Sequence, residues 1–356
     1  NYRKAGYEED PLEDEQKFRD YNIIKAKITS LTREALKELG LDNKSMLRSK
    51  NMFALGMLFW MFERPIKHTV AYFEQKFKNK QIVVEANKLA LKAGYNYAYT
   101  IEALHPHYKV SPAKIKPGKY RNINGNTATA WGLIAAAEKA NMELFCGSYP
   151  ITPATPILEE LAARRDLGVK TFQAEDEIAG ITTAIGASFA GDFAVTTTSG
   201  PGLALKTEAA GLAVITELPL VIVNVQRGGP STGLPTKPEQ SDLMQALYSR
   251  NGESPMPVIA ASSPSNSFWY AFQAGRIALE RMTPVILLTD GFLANGSEPF
   301  LIPKMDEYPV IKPNYTDPEN EDYQPYRRDP ETFTREWAIP GTPKQEHRLG
   351  GLEKMN

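Results

Sequence analysis

The sequence has 356 residues, enough for two or more domains, and its 42% hydrophobic and 23% charged content is that of ordinary globular chains. Lys and Arg number 41 against 42 Asp and Glu, so a net charge of −1 excludes broad electrostatic binding to nucleic acid or an anionic membrane surface. The one cysteine, Cys146, allows no internal disulfide and no protein-only ligand set for an iron–sulfur cluster, and a reduced cytoplasmic compartment is the expectation.

In chain order, the sequence opens at Asn1 without a Met and closes on Gly350–Asn356 without a closing element, so a fragment at both ends is expected. Residues 1–22 are charged and loop-like. Leu31–Gly40 reads as a helix closed by glycine. The longest apolar window, Met52–Phe62, lies between Lys50 and Glu63, is too short to span a bilayer and reads as a buried helix. Two amphipathic stretches follow, His68–Phe77 and Ile82–Tyr95. Residues 1–104 are therefore expected to be mainly helical, without a site of their own. Residues 105–122 read as a linker rich in Pro and Lys. Its His105-Pro106-His107 step lacks the third partner that a metal site needs.

From Gly125 to Asp290 the pattern alternates between helix and strand. Helices are expected over Thr127–Asn141, Pro153–Arg165, Asp176–Ala190, Gly202–Glu217, Asp242–Ser249 and Asn266–Arg281. Between them lie strands at Leu144–Cys146, Val169–Phe172, Phe193–Thr198, Leu218–Val225, Val258–Ala260 and Pro284–Asp290. This order predicts an α/β fold with a doubly wound parallel sheet over residues 123–300. Prolines and charges dominate from Leu301 onward, so residues 301–356 read as an exposed connection and the start of a second domain.

Ligands of such sheets gather outside the carboxyl ends of the strands. Four loops are expected there: Ser148–Pro153, Ala174–Glu177, Ser199–Gly202 and the stretch Gln226–Thr236. The last has one Arg, three Gly, two Pro and three hydroxyls. Arg227 offers a flat fork of donors that suits a carboxylate or phosphate, and the alternative is a rigid turn whose Arg pairs with a structural Asp. Local composition leaves both open. Thr152-Pro153 and Gly200-Pro201-Gly202 each precede a helix, where free backbone N–H groups would suit an anion. Glu175, Asp176 and Glu177 read locally first as dipole-favourable acids at a helix start, with a functional cluster as the alternative. The small residues that follow imply that this first turn is buried.

These motifs resemble a known family. Tyr149–Thr155, Ala174–Ala179, Thr198–Gly202, Gln226–Thr236, Gln240–Leu243 and Asp290–Pro299 are similar to the α subunit of 2-oxoacid:ferredoxin oxidoreductases, and the 2-oxoglutarate type matches best. Arg48–Gly56 and Glu85–Tyr95 resemble the end of the γ domain fused ahead of α in many members. The sequence departs from the family in three places. The start of the γ domain is missing, the second α-subunit domain is cut short, and Gly125–Ala128 lacks the acidic residue usual there.

The resemblance implies an enzyme that uses thiamine diphosphate, with this chain supplying the pyrimidine side. A separate β subunit would hold the diphosphate, the Mg²⁺ and the iron–sulfur cluster. The implied assembly is a dimer of αβ heterodimers. Glu177 would hold the aminopyrimidine ring, with Ser199, Gly200 and Pro201 also on the cofactor. Thr152, Arg227 and Thr236 would bind the 2-oxoacid carboxylate. The reaction would be oxidative decarboxylation, with the acyl group going to coenzyme A and the electrons to ferredoxin. A related thiamine-dependent enzyme for another 2-oxoacid, or a silent fragment that needs its β subunit, are the alternatives.

Overall fold

Every residue of Phe193–Thr198, Leu220–Gln226 and Pro284–Asp290 is buried. Strands buried on both faces form where helices cover both sides, so these β-branched runs make the middle of a parallel sheet. The computed structural model describes residues 2–14, 16–103 and 108–350, and the His105-Pro106-His107 step lies outside them. The chain divides into two units, Asn1–Lys116 and Pro117–Asn356, with the division inside the stretch read as a linker.

The first unit holds α1 (Ile28–Leu36), α2 (Asn43–Arg48), α3 (Lys50–Met61), α4 (Lys67–Lys76) and α5 (Gln81–Thr100). Gly40, left-handed with φ of 63°, closes the short 3-10 turn Lys37–Leu39 that follows α1. The apolar run of α3 buries Phe53, Met57 and Trp60 with Ala98 of α5. The sequence reading missed α2, whose start is marked by Asp42; its carboxylate accepts from Ser45 N at 2.9 Å. Among the described residues, no helix is long and apolar enough to cross a membrane.

The second unit begins with β1 (Tyr120–Asn124) and α6 (Gly125–Ala140). Then come β2 (Leu144–Ser148), α7 (Thr155–Ala162), β3 (Val169–Gln173), α8 (Glu177–Phe189) and β4 (Phe193–Thr198). They are followed by α9 (Gly200–Leu205), α10 (Thr207–Ile215), β5 (Leu220–Gln226) and α11 (Leu243–Tyr248). The series closes with β6 (Val258–Ala260), α12 (Ser267–Arg281), β7 (Pro284–Asp290), α13 (Gly291–Asn295) and β8 (Ser297–Leu301). The sheet has the order β3-β2-β4-β5-β7-β6, all parallel, and β1 pairs antiparallel with β8 apart from it. The period of two shows in the cores. Val221, Val223 and Val225 join one apolar cluster with α6 and α12, while Leu220 and Ile222 join the other with α8 and α10.

Three expectations change. Residues 202–217 form two helices, not one, and the break falls at Lys206. Pro153 lies in a turn before α7, and Pro156 is the proline of that helix's first turn. The segment after 301, expected to be an exposed connection, is only in part exposed, because buried anchors interrupt it. Arg335 is fully buried, and Trp337 stacks on Tyr315 with centroids 5.1 Å apart in the same core as Val221. A few large apolar anchors hold this segment down, and its average composition hid them.

Candidate active site

The backbones of β2 and β4 pair from Leu144 to Cys146 against Phe193 to Val195 and then part. This is the place where the strand order reverses, since β2 runs on to β3 on one side and β4 lies on the other. Side chains bridge the gap. Ser148 Oγ donates to the Thr197 carbonyl at 3.0 Å and lies 2.6 Å from Thr197 Oγ1. One residue on, the Tyr149 hydroxyl is 3.0 Å from Thr198 Oγ1. Burial pushes the Tyr149 phenol up, and the hydrogen bond from Thr198 opposes this while Glu177 adds to it. Arg227 also acts on this phenol, so Tyr149 feels both charges.

The three acids at the start of α8 separate into different roles. Asp176 is the N-cap, its Oδ1 accepting from Ala179 N at 2.8 Å, which is the ordinary role for an acid at a helix start. Glu175 and Asp176 are exposed, and Glu177 is half-buried rather than buried as expected. Glu177 nevertheless points into the crevice. A Cβ at Gly202 would collide with Thr198 Oγ1, the Tyr149 hydroxyl and Glu177 Cγ, so only glycine lets these three groups converge. Ser199, beside them, is fully buried, and its Oγ has no partner. Under the first turn of α8 lies Lys206, fully buried, whose Nζ donates to the Glu177 carbonyl at 2.6 Å.

Arg227 is 7% exposed and is neither paired with an Asp nor open to solvent. Its Nη1 donates to the Thr152 carbonyl at 2.5 Å and its Nη2 to the Thr232 carbonyl at 2.7 Å, while Nε has no partner. The guanidinium thus ties the β2 loop to its own loop. Thr152 and Thr236 line one cleft of about 490 Å³ together with Pro153, Lys237 and Asn295. Thr152 and Thr236 therefore share one cleft, and Arg227 is tied to it through the Thr152 carbonyl without lining it.

The start of α9 is different from the expectation of an anion site. Its anion is the protein's own: the Asp242 carboxylate sits 2.8 Å from where a Cβ of Gly200 would stand. Asn224 Nδ2 donates to Asp242 Oδ2 at 2.9 Å, and Asp242 N donates to Gln226 Oε1 at 3.0 Å. Gln240 Nε2 donates to Asp290 Oδ2 at 2.7 Å. This network fastens the long loop after β5 back onto the strand ends. Burial raises the Asp242 pKa, Asn224 opposes the shift, and Glu239 adds to it.

Comparison with known proteins decides what this site belongs to. The family described as pyruvate flavodoxin/ferredoxin oxidoreductase, thiamine diphosphate-binding, matches residues 135–356, and its companion pyruvate ferredoxin/flavodoxin oxidoreductase matches residues 3–97. The chain belongs to the pyruvate flavodoxin/ferredoxin oxidoreductase family. It is 53% identical to the 2-oxoglutarate oxidoreductase subunit KorA of Mycobacterium tuberculosis, over all of this chain and 54% of that protein. It is 32% identical to the α subunit of 2-oxoacid:ferredoxin oxidoreductase 1 from Aeropyrum pernix, over 84% of this chain and 48% of that one. Among solved structures, 2-oxoglutarate:ferredoxin oxidoreductase from Magnetococcus marinus, with 2-oxoglutarate, coenzyme A and succinyl-CoA bound, superposes with a TM-score of 0.81 at 36% identity. That match covers 90% of this chain and 54% of the other. The chain spans about half the length of the curated relatives it matches.

The crevice of this family member fits the aminopyrimidine half of thiamine diphosphate. A carboxylate stands at its mouth, a glycine keeps its wall thin, and the buried Ser199 hydroxyl still lacks a partner. Sequence reasoning missed Tyr149, Lys206 and Asp242 as parts of the site. Lys206 left one usable signal, since it is the only cation in the mainly small and apolar run from Gly202 to Ile215.

Asp242 makes a pH prediction. Its folded pKa lies above the unfolded one, so its cost to the fold appears as pH rises through the ordinary carboxylate range and is absent below it. Asp242→Asn keeps an acceptor for Asn224 and removes the charge. The stability of the unsubstituted chain relative to Asp242→Asn should therefore fall as pH rises above about 4, read by denaturant titration. A difference that rises over that range would show that Asp242 is stabilised as an anion.

Proposed function

We propose that this chain is the pyrimidine-side part of the α subunit of a thiamine diphosphate-dependent 2-oxoacid:ferredoxin oxidoreductase acting on 2-oxoglutarate. The observation that carries this reading is the convergence of Glu177, Tyr149 and Thr198 on Gly202 at the strand-order reversal, in a chain of this family. The identity to KorA and the 2-oxoglutarate bound by the Magnetococcus marinus enzyme support the choice of substrate.

Thiamine diphosphate, when bound, supplies the electron sink for decarboxylation of the 2-oxoacid. The residues of this chain orient it. Glu177 holds and exchanges a proton at the ring nitrogen of the aminopyrimidine, as a general acid–base group. Tyr149 and Thr198 wall the ring, and Ser199, Gly200 and Pro201 line its other side. Thr152, Thr236 and the Arg227 loop hold the substrate carboxylate. Lys237 lines the same cleft and adds a positive charge beside it. Arg227 acts first by fixing the Thr152 and Thr232 carbonyls, and in this reading it would offer its remaining donors, the unpartnered Nε among them, to the anion.

In this reading a β subunit carries the Mg²⁺–diphosphate site and the iron–sulfur cluster, two αβ pairs associate, and ferredoxin takes the electrons. Coenzyme A takes the acyl group. Ile178, Leu205, Leu243 and Met244 stand exposed on or beside the elements that build the crevice, which supports a protein partner over it. The enzyme would work in the cytoplasm, with Cys146 of this chain reduced.

Two substitutions test these roles in the αβ complex. Glu177→Gln keeps the shape and loses the proton acceptor, so turnover should drop by about 10²–10⁴-fold while the complex stays assembled. An assembled variant that retains more than a small fraction of activity removes Glu177 from the chemistry. Arg227→Lys keeps the charge and loses the fork, so it should raise KM for 2-oxoglutarate far more than it weakens thiamine diphosphate binding. If cofactor affinity collapses while KM stays put, Arg227 serves the diphosphate instead.

A further inference from the structure

Lys206 is fully buried at the break between α9 and α10, and the roles assigned above do not use it. Its ammonium donates to the Glu177 carbonyl at 2.6 Å and to Thr196 Oγ1 at 3.2 Å, and it lies 5.2 Å from the centroid of the Tyr149 ring. One cation therefore touches the start of α8, the middle of β4 and the end of β2. The Glu177 carbonyl belongs to the first turn of α8, so the bond from Lys206 bears on the residue that carries the carboxylate.

A buried ammonium is an expensive way to fill this space. A Met would occupy much the same volume without a desolvation cost, and replacing buried charges by apolar groups is often neutral or stabilising. A charge that packing does not require, placed on the backbone of the proposed acid–base residue, calls for a role. We propose that Lys206 is the positioning residue for Glu177: its ammonium clamps the first turn of α8 onto β4 and so fixes the Glu177 carboxylate against the aminopyrimidine side of the cofactor. This inference rests on the reading of Glu177 given above.

The groups around Nζ are few. Cys146 and Tyr149 face it from β2, Asp176 and Glu177 from α8, and the Thr196 hydroxyl from β4. Burial pulls the Lys206 pKa down to about 8, against the pull of Glu177 and Asp176. Burial likewise pushes the Cys146 thiol up to about 12, so it stays neutral as Lys206 titrates. A charge-assisted bond is about twice as strong as a neutral one, so the clamp loosens as pH climbs through that value.

Three readouts on the αβ complex test this. The first is thiamine diphosphate affinity by calorimetry. It should fall as pH rises through about 8 in the unsubstituted complex. In Lys206→Met it should be about tenfold weaker at pH 7, the size expected for losing one bond to a charged donor, and flat with pH. The second is thermal melting, where Lys206→Met should melt no lower than the parent, which separates the role from general damage to the fold. The third needs no cofactor. Amide exchange over the first turns of α8 should be faster in Lys206→Met, again by about tenfold.

Parental affinity, pH profile and α8 exchange in Lys206→Met would overturn the proposal. If that variant does not assemble, Lys206→Gln keeps a neutral donor of similar reach, and its affinity should be flat with pH. A flat profile in the unsubstituted complex overturns the proposal without any variant. If the unsubstituted complex binds no thiamine diphosphate at all, the functional reading fails, and the exchange of α8 still decides whether the clamp exists.

Discussion

The parting of β2 from β4 after Cys146 and Val195 is the constraint on which the site depends. Two central parallel strands that separate leave backbone groups and a gap inside the protein, and buried polar groups need partners. Ser148, Tyr149, Thr197 and Thr198 supply these partners, and with them the floor of a crevice. Everything proposed to touch the pyrimidine ring is attached to that floor: Glu177 from the helix after β3, Ser199 from the end of β4, and Gly202 between them. A polar crevice with one carboxylate at its mouth follows from where two strands stop pairing.

Charge is the second organising term. Lys206, Arg227 and Asp242 are all more than nine-tenths buried, and none forms a direct salt bridge with another. Each instead bonds carbonyls, a hydroxyl or an amide. Arg227 joins two loops, Asp242 faces the start of α9, and Lys206 sits under α8. Buried charges that are satisfied by neutral dipoles hold loops in one geometry at a cost in stability, as expected where function and not packing sets the residue. Such sites favour order before a ligand arrives.

Much of this was legible in the sequence. The continuous apolar run at Leu218–Val225 signalled a strand buried on both faces, and the helix–strand alternation gave the doubly wound sheet. By resemblance alone the motifs at the strand ends pointed to Thr152 and Thr236, which line one cleft, and to Arg227, which bonds the Thr152 carbonyl beside it. What composition did not carry was side-chain direction. Asp176 and Glu177 are adjacent acids, yet one caps a helix and the other enters a crevice. Lys206 is a lone cation among mainly small and apolar neighbours, and its burial depends on a helix break that propensity does not mark. The segment after Leu301 read as exposed because prolines and charges outnumber the few residues, Ile311 and Trp337 among them, that fasten it. Long-range packing decided these cases, and local pattern does not contain it.

The central claim is that this chain carries one half of a thiamine diphosphate site. Calorimetric titration of thiamine diphosphate into the chain, alone and then with its complementary β subunit, tests it most directly. Alone, the chain should show no micromolar binding, the affinity that corresponds to about −8 kcal/mol. With the β subunit, tight binding should appear, together with coenzyme A-dependent reduction of ferredoxin or viologen by 2-oxoglutarate. Micromolar binding without the partner would mean a complete site in this chain alone, and no binding with the partner would mean that the crevice at Glu177 is not a thiamine diphosphate site.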